Sequence, residues 1–159
     1  MRAIGKPIDE KDIEIISCLK ENARLSASDI SKTVGLSVST VTDRIKKLER
    51  DGIIKQYTVV LDKEKIGLDV TAFVEVSTSD NSYVGVRASI RNFAAQRPEI
   101  VECHSVTGSS MFILKINAPS MNELERIIGE IQTCDGEIQT KTSVVLNTIK
   151  FETFAELKQ

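Results

Sequence analysis

Residues 37–50 read SVSTVTDRIKKLER. On a helical wheel of about 100° per residue, Ser39, Asp43, Lys46 and Arg50 share one side, flanked by Thr40 and Lys47, while Val41, Ile45 and Leu48 point the other way. Small hydroxyls at the start of such a helix can approach a base edge closely and can donate or accept there. The basic residues further along can reach phosphates, which position a protein without reading sequence. The free N–H groups of the helix start offer a further anion site. Serine and threonine are mediocre helix formers, because their side chains compete for backbone hydrogen bonds or lose rotamer freedom. Their crowding into the first turn is a cost that contact with the major groove of double-stranded DNA explains. A solvated helix face would carry similar charges, so it is the hydroxyls, the basic strip and the flanking elements together that point to DNA. The candidate DNA contacts are Ser37, Ser39, Thr40, Asp43, Arg44, Lys46, Lys47 and Arg50. Asp43 either accepts from a cytosine amino group or pairs with a neighbouring lysine on the helix; otherwise it opposes binding.

A helix used in this way needs a platform. Asp9 is a good N-cap, with acids in the following turn favoured by the helix dipole. Ile13, Ile16 and Leu19 mark the inner stripe of a first helix ending near Asn22. Ser26 or Ser28 caps a second short helix, with Ile30 and Val34 inward. Gly35 stops it, Leu36 fills the corner, and Ser37 caps the third helix, which ends before the Asp51-Gly52 turn. Residues 53–62, IIKQYTVVLD, read as a strand. The order predicts a winged helix-turn-helix.

The remainder has another rhythm. Residues 70–78 alternate as a strand, 84–96 read as a helix with Val86, Ile90 and Phe93 inward, and 100–106 and 111–116 form a hairpin around the turn TGSS. Residues 120–133 read as a helix with a Ser120/Glu123 capping box and Leu124, Ile127, Ile128 and Ile131 inward. Asp135-Gly136 turns the chain into a long strand over 138–152. This is the β-α-β-β-α-β order of a ferredoxin-like domain. The predicted class is α+β, with 1–53 as the helix-turn-helix domain, 54–66 as strand and linker, and 67–159 as the ferredoxin-like domain. Both helices of such a domain cover one sheet face, and a second copy is the common cover for the other.

Composition narrows the function. The chain has 159 residues with 41% hydrophobic and 28% charged side chains, ordinary for a globular protein. Net charge is −2 overall, yet residues 44–55 hold Arg44, Lys46, Lys47, Arg50 and Lys55 against Glu49 and Asp51. A basic strip on a mildly acidic chain suits one polyanion-facing surface. Cys18, Cys103 and Cys134 are too few and too scattered for a disulfide framework and are expected to be small, partly buried hydrophobes. With His104 as the one histidine, a zinc site of ordinary ligands is not expected. His104 itself is expected to be a packed or interfacial imidazole. No apolar run reaches the roughly 20 residues of a membrane span, and MRAIGKPIDEKD lacks a signal peptide's apolar core. These features point to a cytoplasmic protein with no cofactor, no metal and no membrane partner.

The sequence resembles the Lrp/AsnC, or feast/famine, family of transcription regulators. IDEKDIEIISCLKENARLSASDISKTVGLSVSTVTDRIKKLERDGIIKQYTVVLD carries the likeness in the first domain, and AFVEVST, PEIVECHSVTG and EIQTKTSVVLN carry it in the second. The resemblance implies a homodimer built through the C-terminal domain, often assembling further, commonly to octamers. It also implies a small effector, usually an amino acid, held between C-terminal domains. The implied effector positions are Thr107, Gly108, Ser109, Ser110, Met111, Gln139, Thr140 and Thr142. One departure stands out. Many relatives follow this glycine with an aromatic residue and an acid, whereas here Ser109, Ser110 and Met111 follow it.

The reading is a sequence-specific DNA-binding regulator modulated by an amino-acid-type effector. The alternative is a low-specificity DNA-wrapping protein of the same fold without effector, against which the net charge of −2 speaks mildly. An enzyme on the ferredoxin-like domain ranks last, for want of a nucleophile–base pair, metal cluster or phosphate loop. Lys46→Ala is expected to weaken binding to all DNA sequences and to lower the slope of log affinity against log salt by about one. Changes at Ser39 or Thr40 should instead alter sequence preference. Titrations across a salt series check both, and unchanged slope and preference would contradict these roles.

Overall fold

Asp9 and Asp12 begin the fold by satisfying each other. The Asp9 carboxylate accepts from the Asp12 N–H at 2.9 Å and the Asp12 carboxylate accepts from the Asp9 N–H at 3.2 Å. This reciprocal cap starts α1, Glu10–Glu21, which ends at Asn22. In the computed structural model, which describes residues 8–78, 83–134 and 137–152, Ser26 rather than Ser28 caps α2, Ala27–Val34. Gly35 follows with φ of 69°, a left-handed conformation that costs glycine nothing. Ser37 then caps α3, Val38–Arg50.

The described residues divide into two compact units, one running to Val60 and including Glu152, the other Leu61–Phe151. The first is built on Ile15, Ile30, Val34, Val41 and Leu48, with Ile16, Leu19, Leu36 and Ile45 packed around them. The inner stripe of α1 differs from the sequence reading. Ile15 is fully buried and Ile13 is only half-buried. The stripe runs Asp12, Ile15, Ile16, Leu19, and its first member is an acid that is 1% exposed. An acid at an inward position hides the helical period.

Asp12 is buried because Arg44 of α3 meets it. Arg44 Nη1 donates to Asp12 Oδ1 at 2.8 Å and to both Asp9 oxygens at 2.7 and 2.9 Å. Thus the α1 cap and the middle of α3 share one charged cluster. The strand predicted over 53–62 is not formed. Ile54 packs on the first core and the Tyr57 hydroxyl donates to Glu49 at 2.8 Å, but the segment has no ladder partner among the described residues. Strand propensity acts only through neighbours to pair with.

In the second unit a 3-10 turn at Glu64–Ile66 leads to β1, Val70–Thr78. There follow α4, Tyr83–Gln96, β2, Ile100–Ser105, β3, Phe112–Ala118, α5, Met121–Gln132, and β4, Ile138–Val144. All pairings are antiparallel, in the order β2-β3-β1-β4. Ala72, Val74 and Val76 of β1 and Leu114 and Ile116 of β3 are fully buried against Val86 and Ile90 of α4 and Ile127 and Ile131 of α5. Both helices therefore cover one face, as the alternation predicts. The last strand stops at Val144, well short of 152. Val145 N donates to Thr71 O at 2.8 Å, one residue into β1, which begins at Val70, and the later described residues have no strand beside them. At α5 the Ser120 hydroxyl accepts from the Glu123 N–H, while the Glu123 carboxylate turns to Arg126 instead of closing the box. The Asp135-Gly136 turn lies outside the described residues. Cys18 and Cys134 are half-buried as expected, but Cys103 is exposed, because β2 is an edge strand.

The cluster on Arg44 has consequences for stability. Arg44→Met leaves the Asp12 carboxylate buried without its cation, and is expected to cost about 3 kcal/mol, read from urea unfolding by circular dichroism. Replacing both partners, as D12L/R44M, should recover most of that loss; an equal loss in the double variant would contradict the pairing. Hydrogen bonding to Arg44, then to the Asp12 N–H, holds the Asp9 carboxyl below its ordinary value of 3.8. A lowered folded pKa stabilises fully above 3.8 and ceases to do so as pH falls through the folded value. Acid unfolding of the Asp9→Asn variant should accordingly be less steep in that window.

Candidate nucleic-acid interface and ligand turn

The hydroxyls at the start of α3 form a connected group. Ser37 Oγ accepts from the Thr40 N–H at 3.2 Å, and the same oxygen lies 2.7 Å from Thr40 Oγ1 and 3.0 Å from Ser39 Oγ. All three residues are exposed. The cap therefore organises Ser39 and Thr40, and these hydroxyls can exchange partners with a base edge at little cost. Thr42 is different, because its hydroxyl donates back to Val38 O at 2.8 Å.

Further along α3, Asp43, Lys46 and Arg50 are exposed and Lys47 is half-buried. Among the described residues Lys46, Lys47 and Asp43 make no ion pair, so the suggested pairing of Asp43 with a helix lysine is not formed. Arg50 leans on its neighbour Asp51 at 3.3 Å with 73% of its side chain exposed, a contact of little energy. Arg44 is a correction. Its guanidinium is occupied by Asp9 and Asp12, and hydrogen bonding to those carboxylates, Asp9 first, raises its pKa further. Arg44 thus holds α3 in place rather than standing free for a phosphate. The wheel gave its side of the helix but not the acids 32 and 35 residues earlier that meet it.

The second group of predicted positions is divided by the sheet. Thr107, Gly108 and Ser109 are exposed at the β2–β3 turn, closed by Val106 N donating to Met111 O at 3.0 Å. Gly108 has φ of 116°, which any side chain would strain. Met111 is 8% exposed and its side chain belongs to the core, so it presents no side chain at the surface of the turn. Ser110 is half-buried, and its hydroxyl donates to Glu75 Oε2 on β1 at 2.7 Å.

On β4, Thr140 and Thr142 pair with Val76 and Val74 and so lie on the helix-covered face. Thr140 accepts from Gln132 Nε2 at 2.8 Å, and Thr142 lines a groove of about 390 Å³ with Met121, Leu124 and Ile128. Gln139 pairs with Ser77 and lies on the other face. The eight positions therefore do not converge within one chain: Gln139 shares the open face with Glu75, while the two threonines do not. Glu75 was missed by the sequence reading, since nothing in a spacing of 35 residues announces that β1 runs beside this turn.

That open face also carries His104, which is exposed and not packed. Its Nε2 lies 3.1 Å from Glu102 Oε2, and Lys115 Nζ lies 2.7 Å from Glu102 Oε1. Hydrogen bonds from Lys115, then His104, hold the Glu102 carboxyl below its ordinary range. Among the described residues no group of three or more His, Cys, Asp or Glu could hold a metal ion, and no helix is long and apolar enough to cross a membrane.

Comparison with known proteins follows the same division. A family model described as winged helix-turn-helix DNA-binding matches residues 8–55, and one described as the Lrp/AsnC ligand binding domain matches residues 71–153. The chain is 34% identical over 152 residues to the HTH-type transcriptional regulator FL11 of Pyrococcus horikoshii, covering 96% of this chain and 98% of that protein. It is 32% identical to the leucine-responsive regulatory protein of Escherichia coli, covering 92% and 89%. Among solved structures it is similar to the Neisseria meningitidis transcriptional regulator NMB0573 in complex with L-Met, at 30% identity and a TM-score of 0.84 over 96% and 97% of the two chains. It is likewise similar to Bacillus subtilis LrpC, at 34% identity and a TM-score of 0.79 over 92% and 99%. Relatives that are regulators with a ligand-binding domain do not favour the low-specificity wrapping alternative. An N-terminal winged helix-turn-helix unit, a C-terminal α+β unit and full-length relatives of one kind place this chain in the Lrp/AsnC family of DNA-binding transcriptional regulators.

Proposed function

We propose that this chain regulates transcription in the cytoplasm by laying α3 in the DNA major groove, with Ser39, Thr40 and Asp43 at base edges and Lys46, Lys47 and Arg50 at phosphates. The observation that carries the reading is the exposed, capped hydroxyl group of Ser37, Ser39 and Thr40 followed by unpaired lysines on the same helix side. Ser37 organises that group as its cap. The working unit is a homodimer, closed through the sheet face that the helices leave open, and larger assemblies are built from it. The mixed charges of Glu102, His104 and Lys115 on that face suit a self-complementary contact, in which each charge meets its opposite across a two-fold axis.

An amino acid acts as effector at the turn Thr107–Ser110, with Gln139 on the adjoining strand. The L-Met complex of the Neisseria relative supports an amino acid as the class of ligand. Control then follows if the effector binds the assembly states unequally, since equal binding would shift nothing. The chain performs no catalysis of its own in this scheme. The boundaries that serve it are 1–53 for reading DNA, 54–66 for the connection and 67–159 for assembly and effector.

Sequencing of genomic fragments recovered on the purified chain tests the proposal, with and without a mixture of the common amino acids. The expected result is enrichment of a few sites of partial two-fold symmetry, with half-sites one helical turn, about 34 Å, or a multiple apart. Recovery should change when amino acids are present. Uniform recovery of all fragments would contradict a specific regulator.

A further inference from the structure

The turn TGSSM offers no acid to an amino-acid ligand, yet a carboxylate stands beside it. Met111 N donates to Val76 O at 2.8 Å and fastens the base of the hairpin to β1. Glu75 precedes that anchor, is the partner of Ile113 on β3 and of Lys141 on β4, and accepts the Ser110 hydroxyl on Oε2 at 2.7 Å. Alternation along β1 puts Glu75 on the side away from Val74 and Val76, both fully buried under the helices. Its carboxylate therefore lies on the open face at the edge of the turn, 37% exposed.

The arrangement has two further properties. Ser110 uses one carboxylate oxygen and leaves Oε1 for another donor. That oxygen has Lys141 Nζ at 3.9 Å, and the Lys141 side chain is 79% exposed. An ion pair so long and so exposed is held weakly and can open. A free α-amino acid carries both charges on groups bonded to one carbon. Its ammonium can replace the lysine on Glu75 while its carboxylate engages the lysine released, so that neither charge is left unmatched.

We propose that Glu75, held against the turn by Ser110, receives the ammonium group of an α-amino-acid effector, and that Lys141 receives its carboxylate. The inference rests on the reading of this turn as the effector site. It locates the missing acid on the neighbouring strand and makes the free zwitterion, rather than a side chain alone, the recognised feature.

Calorimetric titration of the full chain with each common L-amino acid in turn, then with the N-acetyl and carboxamide derivatives of the tightest binder, tests it. The unaltered chain should bind at least one amino acid and should bind both derivatives about tenfold or more weakly, the size of a lost charge-assisted hydrogen bond. Glu75→Gln retains a carbonyl to accept from Ser110, so the turn is kept while the charge is lost. This variant should bind the amino acid about tenfold more weakly and should discriminate little against the N-acetyl form. Lys141→Met should lose the discrimination against the carboxamide. Undiminished binding by Glu75→Gln would overturn the role of Glu75 while leaving the effector site standing. Failure of the unaltered chain to bind any amino acid would overturn the effector reading, and this inference with it.

Discussion

A carboxylate on the inner side of α1 governs the N-terminal unit. Asp12 is 1% exposed, and a charge so placed is tolerated only with a partner. Arg44 is that partner, and it comes from the middle of α3. The same guanidinium closes on Asp9, which caps α1. A single cluster therefore ties the start of one helix to the centre of another. Such pairs add little net stability compared with apolar contacts of the same shape. Their effect here is positional: rotation of α3 about its own axis would strip Asp12 of its cation. Ser39, Lys46 and Arg50 are carried on the other side of that fixed helix, and Thr40 lies one turn before Arg44 at the border between the two sides.

Where the chain caps and turns, the sequence was legible in detail. Asp9, Ser26, Ser37 and Ser120 each cap the helix that follows, and Gly35 takes the left-handed conformation that ends α2. These are local effects, decided within a few residues. The two-residue alternation of 70–78 and the apolar stripes of α4 and α5 were legible for the same reason. What required distant residues was not. Residues 53–62 and 145–152 have strand composition but no ladder, because pairing depends on a neighbour that composition does not supply. In α1 the expected Ile16 and Leu19 do pack on the core, but Ile13 stands where Ile15 was needed, because the buried Asp12 breaks the apolar period. Arg44 was assigned to phosphate for its charge alone, and Glu75 was overlooked because strand order brings it to the turn.

The C-terminal unit meets a different constraint. Four strands and two helices bury one sheet face and leave the other open. On that open face the polar side chains are interlinked, Glu102 with Lys115 and His104, Glu75 with Ser110 and Lys141. Charges arranged in this way favour particular partners over general adhesion. A ligand bound at the rim of the face would share its residues with whatever covers the face. If the proposed effector site and dimer both use this face, they share the same side chains, and linkage then requires each to alter the affinity of the other.

The division of α3 into a clamped side and a DNA-facing side is tested most directly by the salt dependence of DNA binding for D12L/R44M. The unaltered chain and the double variant would be titrated with one enriched fragment across a salt series. If Arg44 only positions the helix, the two slopes of log affinity against log salt are equal, although the affinities differ. A slope lower by about one in the variant would mean that Arg44 leaves its carboxylates for a phosphate, and would contradict the account.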